Sequence, residues 1–169
     1  MQIKVEKITD GQLMRRACSY TINAESKMTL GKIYKCEHSP MRTQMFVVEM
    51  IDIPTFVSVH FVRHKIGVEH FVKSNRDDRG ADFVADRNTP VNHMMFLNAE
   101  ALITLAKKRL CYKAHEQTVV VMNEIKREVK RVDEDLARHM VKSCLYRNGC
   151  NELKPCGWYN RFLMNGDRW

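Results

Sequence analysis

The order of apolar and polar positions predicts a chain that begins with strands and short helices. Residues Gln2 to Ile8 alternate in polarity, which is typical of a half-buried strand. The stretch from Gln44 to Ile51 is rich in β-branched and aromatic residues and is long enough for a central strand. Short helices are expected from Asp10 to Cys18 and from Ala24 to Cys36.

The segment around residue 54 predicts a helix that leads into a basic triplet. Asp52 is the expected N-cap, and Pro54 is expected in the first turn. An apolar flank then runs up to Arg63-His64-Lys65. From Ile66 to Pro90 the chain is polar and contains two glycines, so a long functional loop is expected there.

The second half of the chain predicts mainly helices. Asn98 is the expected cap of a helix that ends at Arg109. The strongest helical signal follows, because apolar residues recur there at steps of three and four. The tail from Arg147 to Trp169 is weakly patterned. The apolar positions that carry the strongest helical signal are Met122, Ile125, Val129, Val132 and Leu136.

Length and charge narrow the range of functions. A chain of 169 residues with 44% hydrophobic content fits one domain, spanning residues 1–169. The net charge of +8 indicates affinity for anions and leaves nucleic acid, acidic membranes and phosphorylated small molecules open. No export signal or bilayer-length apolar run is visible, so the cytoplasm is the expected compartment and the cysteines are expected to be reduced.

The basic triplet Arg63-His64-Lys65 is a candidate phosphate clamp together with Ser74, Asn75 and Arg76. A guanidinium group holds two phosphate oxygens in a fixed geometry. From the residue types alone, a solvated basic surface is about equally plausible. The position of the triplet against an apolar flank favours the clamp.

Asn98 and Arg109 are eleven residues apart, close to three helical turns, so both side chains can lie on one face of a helix. One could bind a heterocycle while the other meets a phosphate or a base carbonyl. On helix geometry alone, a capping Asn and a solvent-facing Arg are favoured.

His139, Cys144, Cys150 and Cys156 supply enough ligands for a metal, but the five-residue gaps between the cysteines do not match zinc fingers or ribbons. Small buried thiols are favoured, and no metal site is expected. No Gly-rich dinucleotide or phosphate loop is present, so any cofactor would be bound outside the common fingerprints.

Three motifs in order resemble those of flavin-dependent thymidylate synthases, over roughly residues 10–120. That family's signature is Arg-His-Arg, seven variable residues and Ser, with Arg two positions further. Here Arg63-His64-Lys65 is followed by eight residues and then Ser74-Asn75-Arg76. Glu37 to Pro40 is similar to the family's Pro-containing turn, and Asn98 to Arg109 is similar to its Asn-Ala-x-Ser-Leu helix, which also ends in Arg.

The resemblance implies a compact α/β fold of the α+β type, with a central mixed or antiparallel sheet flanked by helices and a helical C-terminal half. It implies a homotetramer with active sites shared between chains. Family members use FAD, NADPH and methylenetetrahydrofolate to methylate dUMP to dTMP. Membrane binding is not expected, and nucleic-acid binding is disfavoured because the basic residues are dispersed without an aromatic platform.

The resemblance also assigns roles to individual residues. Arg109 and Arg63 are the expected catalytic residues, with Arg109 on the pyrimidine ring. The expected dUMP ligands are His60, Arg63, Glu69, Ser74, Asn75, Arg76, Arg87 and Arg109. The expected FAD ligands are Ser19, Thr43, Arg63, His64, Lys65, Asn98 and Lys113.

Several positions depart from the family pattern. Thr43 stands where many members have His, and Lys65 stands where they have Arg. The chain is also shorter than typical family members, mostly through loss of residues between Gly80 and Asn92. This shortening favours a viral or otherwise divergent origin, and a viral protein would be expected in the host cytoplasm. Two alternatives therefore stay open: a flavoenzyme with different pyrimidine chemistry, such as hydroxymethylation, and a non-catalytic nucleotide- or nucleic-acid-binding homologue.

Overall fold

Alternating side chains on four strands build one antiparallel sheet, with the spatial order β1-β2-β4-β3. The computed structural model describes residues 1–74 and 86–165. The strands are β1 (Gln2–Lys7), β2 (Met45–Pro54), β3 (Val68–Val72) and β4 (Pro90–Asn98). The helices are α1 (Gly11–Ile22), α2 (Leu30–Lys35), α3 (Thr55–Val62), α4 (Ala99–Arg109), α5 (Glu116–Val132), α6 (Glu134–His139), α7 (Ser143–Tyr146) and α8 (Trp158–Met164), with a 3₁₀ helix at Ser39–Thr43.

The core lies between one face of the sheet and the helices. Every second residue of β2 and β4 is buried on that face, because side chains alternate along a strand. The helix α5 packs on β1, and α4 packs on β4 and α5. The expected α+β class, with an antiparallel sheet and many helices in the second half, is confirmed. Core side chains on the strands include Phe46, Val48, Met50, Met95 and Leu97.

The expected helix start at Asp52 is wrong, because β2 continues to Pro54. Pairing of β2 with β4 extends to Pro54 opposite Pro90, so the backbone stays extended there. Asp52 lies at an irregularity in the pairing, with φ of 55°. Helix α3 begins at Thr55, whose N–H and Oγ1 both donate to the carbonyl of Thr89.

The expected loop from Ile66 to Pro90 is wrong in part, because residues 68–72 form the edge strand β3. The turn into β3 needs Gly67, whose φ is 71°. The sequence-based assignment also missed β4. Buried and exposed positions alternate along β4, but the polar residue His93 occupies one of the buried positions. The sequence therefore lacks the regular alternation of apolar and polar residues that predicts a strand.

The expected helix from Ala24 to Cys36 is correct only in its last part. Thr29 accepts a hydrogen bond from the N–H of Lys32 and caps α2, so the helix begins at Leu30. The expected helix ending at Cys18 instead continues to Ile22 and is followed by Asn23 in the left-handed region. In the described part of the tail, which ends at residue 165, the chain forms one short helix, α8.

A buried polar cluster fastens β1, α2 and α6 together. Asp133 accepts hydrogen bonds from Lys7 Nζ at 2.6 Å, from Tyr34 Oη at 2.7 Å and from the N–H of Leu136 at 2.9 Å. Asp133 also caps α6. None of the helices in the described ranges has both the length and the apolar character needed to cross a bilayer.

Candidate functional site

Arg109 lies at the meeting point of α3 and α4. Leu102, Leu105 and Ala106 bury the inner face of α4, which leaves Arg109 partly exposed in the last turn. Its side chain reaches the end of α3, where Nε donates to His64 Nε2 at 3.0 Å and Nη2 donates to the carbonyl of His60 at 2.6 Å. The guanidinium is therefore held in one orientation. The favoured reading of Arg109 as solvent-facing is wrong.

The contact with Arg109 determines the tautomer of His64. Because Arg109 Nε can only donate, His64 Nε2 must accept, and the ring proton of the neutral form lies on Nδ1. Burial and the neighbouring positive charge of Arg109 lower the pKa of His64 to about 4. At neutral pH, His64 is therefore an uncharged ring with its Nδ1–H free of any partner among the described residues.

Positive charges converge at this point, and the described residues place no acidic partner beside them. Burial, followed by the charges of Arg109 and Arg63, lowers the pKa of His60, and Arg87 contributes to the same shift. The pKa of Arg109 is also lowered by burial and by Arg63. Within residues 1–74 and 86–165, no carboxylate forms an ion pair with any of these arginines. The arrangement favours an anionic ligand. We call Arg63, Arg87, Arg109, His60 and His64 the open cluster.

An aromatic wall borders the open cluster. The Arg87 guanidinium lies 4.7 Å from the centre of the Phe56 ring, which in turn contacts His115 edge to face at 4.7 Å. His60 Nδ1 lies 2.8 Å from Thr118 Oγ1. These contacts fix the exit of α3 against the first turn of α5.

Two histidines that sequence reasoning missed, His70 and His93, are connected by hydrogen bonds to the main chain of the basic triplet. His93 Nε2 is 2.9 Å from His70 Nδ1, and His70 Nε2 is 2.7 Å from the carbonyl oxygen of His64. His93 Nδ1 is also 3.0 Å from Ser58 Oγ. The signal that could have found them is the strand alternation Val91-x-His93-x-Met95-x-Leu97, in which a histidine takes a core position.

Asn98 caps α4, as expected, by accepting from the N–H of Ala101 at 2.9 Å. Gly67 lies directly beside it, since an added Cβ would come within 2.7 Å of Asn98 Nδ2. The Asn98 N–H also donates to the Gly67 carbonyl at 3.1 Å. The turn after the basic triplet is thus tied to the start of α4.

Four further expected site residues form no hydrogen bond with the open cluster within the described ranges. Ser19 bonds within α1 and to Ser26, and Thr43 donates to the Pro40 carbonyl. Strand alternation places Glu69 on the sheet face opposite His70. Lys113 lines a pocket near α7.

Two expected ligands flank the cluster in sequence. Lys65 is exposed just beyond α3, and Ser74 follows the end of β3. Asn75 and Arg76 lie outside the described residues, so their expected contacts with a phosphate stay predictions.

The expectation of buried thiols in the tail is wrong. Cys150 and Cys156 are exposed, since residues 147–165 include no fully buried side chain, and Cys144 in α7 is partly exposed. These three cysteines line one small cavity of about 30 Å³ with Cys111, whereas His139 lines a different pocket. Across the described ranges, no three potential ligands are arranged to hold a metal ion.

Comparison with solved structures places this geometry on a known fold. Two crystal structures of the flavin-dependent thymidylate synthase ThyX from Helicobacter pylori, both with FAD and dUMP, align with TM-scores of 0.68 and 0.70. The identities are 13% and 12%, and each alignment covers 84% of this chain and 100% of the other. The sequence matches no protein-family model, and curated proteins give no significant match.

The chain therefore has the fold of flavin-dependent thymidylate synthases, as the motif resemblance implied. At this identity the comparison defines the fold and leaves the chemistry to the residues of the site.

Proposed function

We propose that this chain is a flavin-dependent thymidylate synthase, which converts dUMP to dTMP with FAD, NADPH and methylenetetrahydrofolate. The observation that carries the proposal is the open cluster on this fold, because Arg63, Arg87 and Arg109 have no carboxylate partner among the described residues. The negative charge of a ligand would offset the crowding of the partly buried Arg109 by Arg63, and the exposed Arg63 and Arg87 are accessible to such a ligand. Phosphorylated nucleotides supply that charge.

The free donors of the open cluster suit dUMP. Two bonds immobilise Arg109 through Nε and Nη2, which leaves the Nη1 amino group for a pyrimidine carbonyl. The exposed Arg63 side chain has no hydrogen-bond partner in the described part of the chain and would meet the nucleotide. Ser74, Asn75 and Arg76 would hold the phosphate, with Arg87 as a further ligand. His60 would border the base, and Glu69, which faces the other side of the sheet from His70, stays an expected dUMP ligand.

Donors also remain for the flavin dinucleotide. His64 Nδ1–H and Asn98 Nδ2 have no partner within the described ranges, and Lys65 is exposed beside them. FAD would supply the redox chemistry and carry the one-carbon group, and the protein would orient the partners. Ser19, Thr43 and Lys113 are expected to contact FAD but form no hydrogen bond with the open cluster within the described ranges. A homotetramer would bring them to the cluster of a neighbouring chain.

The chemical task of the residues is to stabilise charge on uracil. C5 becomes nucleophilic in an enolate-like form of the uracil ring, in which a ring carbonyl oxygen carries negative charge, and the Arg109 guanidinium would stabilise that charge. Its fixed orientation avoids reorganisation during the reaction. The net reaction replaces the hydrogen on C5 with a methyl group, while NADPH is oxidised and tetrahydrofolate is released.

Flavin binding gives the first test. We expect the purified protein to be yellow or to become so with added FAD, and dUMP to perturb the flavin absorption spectrum. Arg138→Gln is expected to bind FAD and dUMP like the wild type, because Arg138 is exposed and pairs with Glu134 on α6. It is the control for loss of a positive charge outside the open cluster. A protein that stays colourless in excess FAD would contradict the proposal.

The product decides between this reaction and a variant of it. Lys65 in place of Arg keeps the charge but loses the planar fork, and Thr43 replaces a residue that is His in many family members. Both changes fall on expected flavin ligands. A flavoprotein that binds dUMP but forms hydroxymethylated nucleotide would keep the site assignment and change the reaction.

A further inference from the structure

A buried row of hydrogen bonds connects the core to the main chain of the basic triplet. It runs from Ser58 on α3 through His93 on β4 and His70 on β3 to the carbonyl oxygen of His64. The three distances are 3.0, 2.9 and 2.7 Å. Ser58 and His93 are only 2% and 1% exposed. The row therefore begins in the core and ends at the peptide that carries the His64 ring.

The carbonyl at one end determines the direction of every bond in the row. A carbonyl oxygen only accepts, so His70 Nε2 must donate to it. In neutral His70, Nδ1 is then an acceptor, which requires a proton on His93 Nε2. His93 Nδ1 in turn accepts from the Ser58 hydroxyl. With both rings neutral, a single proton arrangement satisfies the whole row.

Core stability alone does not account for this row. The neighbouring positions on the same sheet face are apolar, namely Val68, Met95 and Leu97. Apolar side chains in place of a buried hydrogen-bonded pair are often neutral or stabilising. What apolar side chains could not do is hold the His64 carbonyl, which follows the end of α3 where helix carbonyls lack partners.

We infer that His70 and His93 are positioning residues for the anion site, acting through His64. The main chain of His64 is fixed by His70 on one side, and its ring is fixed by Arg109 on the other. The row thereby sets the direction of the Arg109 guanidinium and of the His64 Nδ1–H. The identification of dUMP as the bound anion rests on the proposed function. The coupling of His70 to the His64 ring is independent of that function.

The test compares His70→Leu, which removes every polar atom, with His70→Gln, which keeps an N–H near the position of Nε2. Nitrogen-15 NMR of the histidine rings reports the His64 tautomer, and flavin absorption with FAD-loaded protein reports the Kd for dUMP. For the wild type we expect His64 protonated on Nδ1 only. For His70→Leu we expect mixed tautomers and a dUMP Kd raised on the order of tenfold. His70→Gln is expected to stay near the wild type.

Two further variants separate positioning from folding. Phe71→Leu, on the same strand but facing solvent, is the matched control and is expected to change neither readout. Ser58→Ala removes the donor at the far end of the row and is expected to act in the same direction as His70→Leu, but less strongly. It supplies the comparison with His70→Gln if His70→Leu does not fold.

The possible outcomes are distinct. An unchanged His64 tautomer and dUMP Kd in His70→Leu, even with a lower melting temperature, would assign the row a purely structural role and overturn the inference. If the wild type binds no dUMP, the proposed function fails, yet the tautomer measurement still decides whether His70 positions His64.

Discussion

Two polar clusters in this molecule contain groups of similar kind but handle their charges in opposite ways. In the closed cluster of Lys7, Tyr34 and Asp133, one buried carboxylate accepts three hydrogen bonds, one of them from a lysine. In the open cluster, arginines and neutral histidines lie together with no carboxylate among the described residues. The closed cluster has its charges paired, whereas the open cluster has no carboxylate partner within residues 1–74 and 86–165.

The electrostatic response of each cluster follows from this difference. Burial and the adjacent Asp133 raise the pKa of Tyr34 above its usual value, so its hydroxyl stays protonated and donates. In the open cluster the shifts run the other way, since burial and like charges lower the pKa values of His60, His64 and Arg109. Like-charge crowding of this kind is typical of binding sites. An excess of one charge, rather than a high density of charge, distinguishes the open cluster from the closed cluster.

Breaking the closed cluster is expected to have the largest effect on folding. Asp133→Ala leaves the ammonium of Lys7 and the hydroxyl of Tyr34 without their buried partner and removes the cap of α6. We expect the free energy of unfolding to fall by about 3–5 kcal/mol. Denaturant unfolding measures this loss. Glu134→Ala at the exposed neighbouring position of α6 is the control, and an equal effect of both variants would contradict the assignment.

Lowering the pH is expected to reduce the free energy of unfolding through protonation of His93, which lies near the open cluster. Burial and the neighbouring His70 lower the pKa of His93 to about 4. The unfolded chain therefore takes up a proton near pH 6.5, before the folded chain does. Stability is fully present above about pH 6.5 and is lost as the pH falls through about 4.

The size of this acid effect can be measured against a variant. For His93 alone, the shift corresponds to about 3 kcal/mol. Denaturant unfolding of the wild type and of His93→Gln between pH 7 and pH 4 measures it. Parallel profiles for the two proteins would show that His93 does not carry the pH dependence.

Removing one cation from the open cluster should spare the fold and weaken the ligand. Arg109→Ala is expected to raise the Kd for dUMP on the order of a hundredfold, because its two fixed bonds and its charge are lost. The melting temperature is expected to change little, since like charges already disfavour this cation. Arg109→Lys should give an intermediate affinity. Retained dUMP affinity in Arg109→Ala would remove Arg109 from the site.

The parts of this site that could be predicted from sequence depend on local periodicity. Asn98 as a cap and Arg109 at the end of the same helix follow from helical spacing, and the basic triplet follows from its position after an apolar helix. The bonds from Arg109 to His60 and His64 could not be predicted. They depend on how α4 packs against α3, which joins residues 45 to 49 positions apart.

The pairing of β3 with β4 was hidden for a different reason. His70 and His93 are polar residues at positions that face the core, so the apolar pattern typical of a strand is missing. Residues 68–72 therefore fell within the expected loop. Long-range strand pairing has no local signal when the buried face carries histidines. The closed cluster is similar, because it joins Lys7 and Asp133 across 126 positions.

The most direct test of the proposed synthase activity is the mass of the nucleotide formed by the wild-type protein. The protein is incubated with FAD, NADPH, methylenetetrahydrofolate and dUMP, and the nucleotide is analysed by mass spectrometry. We predict a product heavier than dUMP by one CH₂ unit, formed with oxidation of NADPH and absent when the flavin is omitted. Unchanged dUMP under conditions where the protein binds both FAD and dUMP would contradict the proposed activity.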